Sequence, residues 1–433
     1  MKLTLGSWWK RMLIALASIA TAALCTAALS AAMLFATLRA APGEWSHAVP
    51  VGPWHVQLSV PAMLRLATHP LGLRALAGRT FHTSHGTLKT QQGADENSLR
   101  VVCDPCTPHA ALLGNGPLRL QRIELSLMRV GQNHLHGEIH AGAVSAMWQL
   151  RIEKRSVDLR VQVPDAPIAA FYAVLGTAIP ELARARIEGR AGADLQLTLP
   201  AAVWSVVPRI EGFTVSGLGT EALLSVMPLP ACARAIRRAD AAAPFGVWLP
   251  RAVIAAEYQR FYEHIGYDLI EMRAALRSDA GTSAGQHARG ASSLSQQLAK
   301  LLYTGDERSA VRKLREALYA VEMNRTLGKA RALQLYLAVA PWGPGQCGAQ
   351  AASLQLLHKR AAALTPIEAA WLASLLRNPD SELARMATSG VIATARVGDI
   401  IEAMRPLARA RREDLREQLA DWAPPLTNAF AAR

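Results

Sequence analysis

The strongest constraint on this chain is an uncharged run from Met12 to Leu38, rich in Ala and Leu and closed at its ends by Arg11 and Arg39. As a helix it would be about 40 Å long, enough to cross a hydrocarbon core of about 30 Å with some tilt. Lys2, Lys10 and Arg11 precede it and only Arg39 follows closely. The positive-inside bias therefore puts residues 1–11 in the cytoplasm and the body of the chain outside, with Trp8 and Trp9 near the headgroups. A cleaved signal peptide is the rival reading, since small residues lie near Ala28 to Ala32. The stretch is longer than the usual apolar region of such a signal, so we read residues 12–38 as one uncleaved transmembrane helix.

That placement decides what the charge means. A formal net charge of +14 and a pI of about 10.1 favour an anionic partner, which could be nucleic acid, a lipid surface or a phosphorylated substrate. A basic body facing away from the cytoplasm argues against nucleic acid and leaves membrane lipid and a phosphorylated substrate.

The remaining length allows two or three domains in a chain of 433 residues. Residues 48–236 carry strand-like alternation, as in Leu118/Leu120, Trp148/Leu150/Ile152, Val157/Leu159/Val161/Val163 and Leu195/Leu197/Leu199. Glu153 to Ser156 reads as a turn between two of these strands. One helix is expected from Pro167 to about Arg184 and a weaker one from Pro61 to Ala77. The pattern changes near Arg237 to Pro250, and residues 244–380 show helical spacing. There Thr365-Pro-Ile-Glu368 offers an N-cap, a proline at the first helical position and a capping-box glutamate, with Asn378-Pro379 at the helix end. Residues 381–433 read as a basic helical tail. The fold class is α+β and multidomain: an N-terminal transmembrane helix, a sheet-rich middle and a mainly α-helical C-terminal half.

Of five cysteines, Cys25 lies in the apolar run and Cys232 and Cys347 stand alone. Cys103 and Cys106 have the spacing of redox motifs and half-zinc sites, but neither a second Cys pair nor a suitably spaced His pair follows, so a local loop disulfide is the expectation. His134, His136 and His140 fall on one face of a strand because their offsets are even, and we read them as solvent-facing rather than as metal ligands.

Chemistry concentrates in three segments: Glu257-Tyr-Gln-Arg-Phe-Tyr-Glu-His-Ile-Gly266, Gly290-Ala-Ser-Ser-Leu-Ser-Gln-Gln-Leu-Ala-Lys300 and Arg312-Lys-Leu-Arg-Glu316. Glu257, Phe261 and His264 would share a helix face, and burial against Phe261 would raise the Glu257 pKa and favour a general base. Ser292, Ser293, Gln296 and Gln297 form a hydroxyl- and amide-rich edge suited to sugar hydroxyls or phosphate oxygens, although helix capping would use the same residues. Lys300, Arg308, Arg312 and Glu316 follow at helical intervals, and an Arg312–Glu316 ion pair one turn apart would orient the carboxylate.

In order and spacing these segments resemble the peptidoglycan glycosyltransferases of glycosyltransferase family 51, the lysozyme-like transglycosylase domain of penicillin-binding proteins. The family motifs run Glu-Asp-x-x-Phe-x-x-His-x-Gly, Gly-Gly-Ser-Thr-x-Thr-Gln-Gln and Arg-Lys-x-x-Glu. The likeness continues through Trp342-Gly-Pro-Gly345 and Leu364 to Ala373. It implies a monofunctional biosynthetic transglycosylase in the cytoplasmic membrane, with its catalytic domain extracytoplasmic. Such an enzyme polymerises lipid II onto a nascent glycan strand, inverting the donor anomeric carbon and releasing polyprenyl pyrophosphate. The resemblance implies Glu257 and Glu316 as catalytic residues, and His264, Ser292, Ser293, Gln296, Gln297, Lys300, Arg308 and Arg312 as substrate-binding residues. A divalent cation, Mg or Mn, could assist at the pyrophosphate; no protein metal site and no nucleotide cofactor are expected. Cell-wall assembly proteins could dock through residues 48–236. Three positions depart from the family pattern, Tyr258 for Asp, Ala338 for Asn and Gln350 for Glu, and they motivate an alternative, a non-catalytic envelope scaffold that binds lipid II.

Overall fold

The computed structural model describes residues 5–51, 54–107, 120, 122–225, 244–257, 259–275, 277–278, 292–307 and 309–425. The N-terminal helix is Leu5–Leu38, and its Ala20–Leu38 stretch is long and apolar enough to cross a membrane. A short hairpin, Ser46–Val51 with Trp54–Ser59, follows it.

The sheet-rich half is a meander in which each strand pairs with the next. Among the described residues nine antiparallel strands lie side by side in chain order, from Thr80–Thr83 to Val203–Ser216, with Arg277–Ser278 added as a tenth at the far edge. The strand Val144–Ile152 shows why the alternation was readable. Ala146, Trp148 and Ile152 are buried while Ser145, Met147, Gln149 and Arg151 are exposed, as the two-residue period of a strand with one solvated face requires. Trp148, Leu135, Ile152 and Val157 form the centre of a small core on the inner face. The Glu153 to Ser156 turn closes with Glu153 N donating to Ser156 O at 2.9 Å. His134, His136 and His140 stand exposed on one strand, with His140 Nε2 3.0 Å from Glu138. Cys103 and Cys106 are joined in a disulfide, and Cys347, expected to stand alone, is also disulfide-bonded.

Two helical expectations are corrected by backbone breaks. The helix predicted from Pro167 to Arg184 stops at Leu175, because Gly176 takes φ +53°, and 3₁₀ turns continue the chain to Ala183. The Pro61 to Ala77 candidate is two helices, Val60–Ala67 and Pro70–Leu76, interrupted ahead of Pro70, where a proline ring disfavours the helical conformation of its predecessor.

In the C-terminal half, Thr365 caps Pro366–Ser374 through the reciprocal bonds of a capping box with Glu368. Asn378 ends this helical stretch, as its sequence suggests. It caps a further helix, Pro379–Ser389, which Thr394–Ala403 and Arg409–Ala420 follow. The segment expected as a tail is part of the fold: Leu383, Val397, Ile401, Met404 and Leu415 belong to the main core, and Trp422 packs 5.8 Å from Trp371. The same core reaches into the sheet-rich half through Ile168, Tyr172, Ile179, Phe213 and Val215. Continuous burial of this kind, rather than a solvated linker, is what makes two segments one mechanical body.

Candidate active site

The helix Trp248–Glu257 ends at Glu257 itself, so Glu257, Phe261 and His264 do not share a helical face as their spacing suggested. Phe261 is fully buried beneath the following turns, with the Lys329 ammonium 4.7 Å from its ring centroid. His264 is buried as well. Desolvation, then the nearby Lys329 charge, push it down to about 4, so it is neutral and its Nδ1 accepts from Gly266 N at 3.1 Å. Its side chain shapes this turn rather than presenting a cation to a ligand.

Gly266 explains why the turn is fixed. Its φ is +114°, and a Cβ there would lie 2.6 Å from the Ala320 carbonyl oxygen. Gly266→Ala is therefore expected to cost about 2–4 kcal/mol through backbone strain and the clash, read as a lowered urea midpoint at unchanged slope.

The second segment joins the first to the third. Ser293 caps the helix Leu294–Ala299 in a capping box with Gln296, and its hydroxyl donates to the Gly266 carbonyl at 2.6 Å. Both side chains are buried and committed to this framework. Gln297, at one end, reaches the proposed catalytic carboxylate of Glu257, and Ser292, at the other, reaches Lys313, the partner of Glu316. Gln297 Nε2 donates to Glu257 Oε2 at 3.2 Å, and Tyr336 donates to Gln297 Oε1 at 2.9 Å. Burial, then the Glu257 charge, hold the Tyr336 pKa well above its ordinary value, so the hydroxyl stays a donor and keeps the amide nitrogen turned toward Glu257. Ser292 accepts from Lys313 Nζ at 2.6 Å.

Burial makes Glu257 a stronger proton acceptor than an exposed glutamate. Desolvation raises its pKa above the ordinary 4.5, while the Gln297 bond and then the charges of Arg396 and Arg377 oppose the rise. Arg396 Nη2 lies 3.6 Å from Glu257 Oε1 and is held by its Nε bond to the Ser374 carbonyl. Neither arginine was identifiable from spacing, because both lie more than a hundred residues downstream and reach Glu257 only through the packing of the last helices.

The third segment lies on the helix Ala310–Thr326, capped by Ser309. Glu316 is completely buried between Arg312, whose Nη1 pairs with Oε1, and Lys313, whose Nζ is 2.8 Å from Oε2. Arg312 also donates from Nε to the Glu307 carbonyl. Burial, then Arg312 and Lys300, push the Lys313 ammonium down to about 8. Lys313 was legible in the Arg-Lys-x-x-Glu run but was not singled out. Lys300 starts a π-helical turn, Lys300–Thr304, and pairs with Asp306 at 2.7 Å. Arg308 and Tyr258 lie outside the described residues.

Gln350 and Ala338 occupy buried structural positions. Gln350 Oε1 accepts from Ala361 N at 3.0 Å, a bond that a carboxylate could equally accept. Both oxygens of Glu316 are engaged by cations, and among the described residues no group of three or more His, Cys, Asp or Glu gathers as a metal site.

The family model described as Transglycosylase matches residues 237–405. A biosynthetic peptidoglycan transglycosylase from Rhodopseudomonas palustris (strain HaA2) is 42% identical over 144 residues, covering 33% of this chain and 63% of that protein. The protein of the same name from Shewanella amazonensis is 42% identical over 164 residues, 38% of this chain and 65% of the relative. Its namesake from Escherichia coli (strain 55989 / EAEC) is 38% identical over 178 residues, 37% of this chain and 73% of the relative. The chain thus spans somewhat less than two thirds of the first two relatives and more than two thirds of the third.

Proposed function

Because this chain belongs to the transglycosylase family of biosynthetic peptidoglycan enzymes, we propose that it polymerises lipid II into glycan strands at the outer face of the cytoplasmic membrane. The observation that carries this reading is the bridging segment 292–297, one end of which contacts Glu257, a buried carboxylate of raised pKa, while the other contacts Lys313, a cation paired with Glu316. A base on one side and a cationic cluster on the other suit transfer from a pyrophosphate donor.

Glu257 accepts the proton of the acceptor sugar 4-hydroxyl as its oxygen bonds to the donor anomeric carbon with inversion. The bond from that carbon to the pyrophosphate oxygen breaks, and the electron pair leaves with the polyprenyl pyrophosphate. Lys300, Arg308, Arg312 and Lys313 stabilise the developing negative charge, most effectively where water is excluded. Glu316 keeps Arg312 and Lys313 oriented. The helical half, lysozyme-like in this reading, stays near its lipid-linked substrate through the Ala20–Leu38 anchor, with the N-terminus in the cytoplasm.

Detergent-purified full-length protein is expected to convert labelled lipid II to polymer. Since the base acts deprotonated, kcat/KM rises with pH, and its acidic limb lies above the ordinary glutamate value of 4.5. Lipid II binding without polymer formation across that pH range would instead favour the scaffold reading motivated by Tyr258, Ala338 and Gln350.

A further inference from the structure

The helix Ala310–Thr326 has a second occupied face. While Arg312, Lys313 and Glu316 form the cationic cluster, Leu314, Arg315, Tyr319 and Glu322 meet the sheet-rich half. Arg315 Nε lies 2.9 Å from both Glu181 oxygens, and its Nη2 lies 2.7 Å from Oε1. The Glu181 side chain is 3% exposed. Burial, the largest single influence, would raise its carboxyl pKa, but the Arg315 bond and charge together with a backbone bond and Tyr319 leave the group below its ordinary value. The pair is therefore charged and bidentate, the arrangement that adds geometric restraint to attraction.

Neighbouring bonds repeat the restraint. Tyr172 donates to the Leu314 carbonyl at 3.1 Å, Arg184 Nη2 to the Tyr319 hydroxyl at 3.1 Å, and Leu218 N to the fully buried Glu322 at 2.9 Å. A helix is stiff at this length, so fixing Arg315 also fixes Glu316, its neighbour about 100° round the axis. The break at Gly176 turns the chain so that the 3₁₀ turn Pro180–Ala183 delivers Glu181 to this helix. The family match at 237–405 contains Arg315 but not Glu181, so the pair ties the family segment to a part of the chain outside it.

We propose that the sheet-rich half is a positioning element of the transferase site: Glu181, through Arg315, sets the rotation and height of the helix that presents Arg312, Lys313 and Glu316. Glu181 and Arg315 are positioning residues, and the kinetic part of this inference rests on the lipid II reading above. The test uses full-length protein in detergent, with Glu181→Gln as an isosteric neutral variant and Tyr172→Phe as a milder one. Backbone hydrogen exchange in 311–322 is expected to quicken roughly tenfold in Glu181→Gln and less in Tyr172→Phe. The kcat for lipid II polymerisation is expected to fall about tenfold in Glu181→Gln, with KM within about twofold, because the cluster is displaced while substrate binding elsewhere is kept.

Wild-type exchange and kcat in a folded Glu181→Gln protein would overturn the proposal. So would a kcat loss matching only the unfolded fraction measured by thermal melting. Should Glu181→Gln fail to fold, Tyr172→Phe decides by the same two readings. If the wild type makes no polymer, the lipid II reading falls, while the exchange measurement still judges whether the sheet-rich half holds the helix.

Discussion

Glu257→Gln is expected to lower lipid II polymerisation by about 10²- to 10⁴-fold, the usual worth of a positioned general base, without loss of the fold. The stability half of this expectation follows from the sign of the pKa shift. Desolvation raises the Glu257 pKa in the folded protein. Its contribution is therefore most favourable below the unfolded value near 4.5 and is lost as pH rises through the higher folded value. At neutral pH the buried carboxylate is a burden that a glutamine does not carry. The variant should melt at or above the wild-type temperature at pH 7 and lose that advantage in acid. Scanning calorimetry alongside the polymerisation assay checks both halves, and a variant that is folded and fully active would remove Glu257 from the mechanism.

Glu316→Gln should be damaging in both respects. Glu316 is fully buried and accepts from Arg312 and Lys313. Neutralising it leaves two adjacent cations without their counter-charge, one of them buried. Breaking a buried pair in this way costs about 3–5 kcal/mol, and misdirected cations should cost about 10²-fold or more in kcat. Urea unfolding and polymerisation at neutral pH measure the two effects separately. An unchanged urea midpoint would show that Arg312 and Lys313 are held mainly by other contacts, such as the Glu307 carbonyl and Ser292.

The contrast between these two carboxylates mirrors the limits of reading the chain. Glu316 and its arginine were legible because a four-residue spacing within one helix brings side chains together whatever the rest of the fold does. Glu257 was legible through the resemblance of its segment, and burial does raise its pKa as expected, but not by way of a helical face shared with Phe261 and His264. Its helix ends at the carboxylate, and the burial comes with Gln297, Tyr336 and Arg396, which lie on other elements. No local period encodes such contacts.

What the sequence determined by itself was therefore local or periodic: the apolar Ala20–Leu38 helix, the alternating strands such as Val144–Ile152, the capping box at Thr365 and Glu368, and the Arg312–Glu316 pair. Only the tertiary structure decided that the last three helices complete the core, that Arg396 reaches Glu257, and that Glu181 grips Arg315. Hydrogen-bond geometry along a helix or strand is set within a few residues, whereas packing between distant segments depends on which buried surfaces fit and which buried charges find a partner.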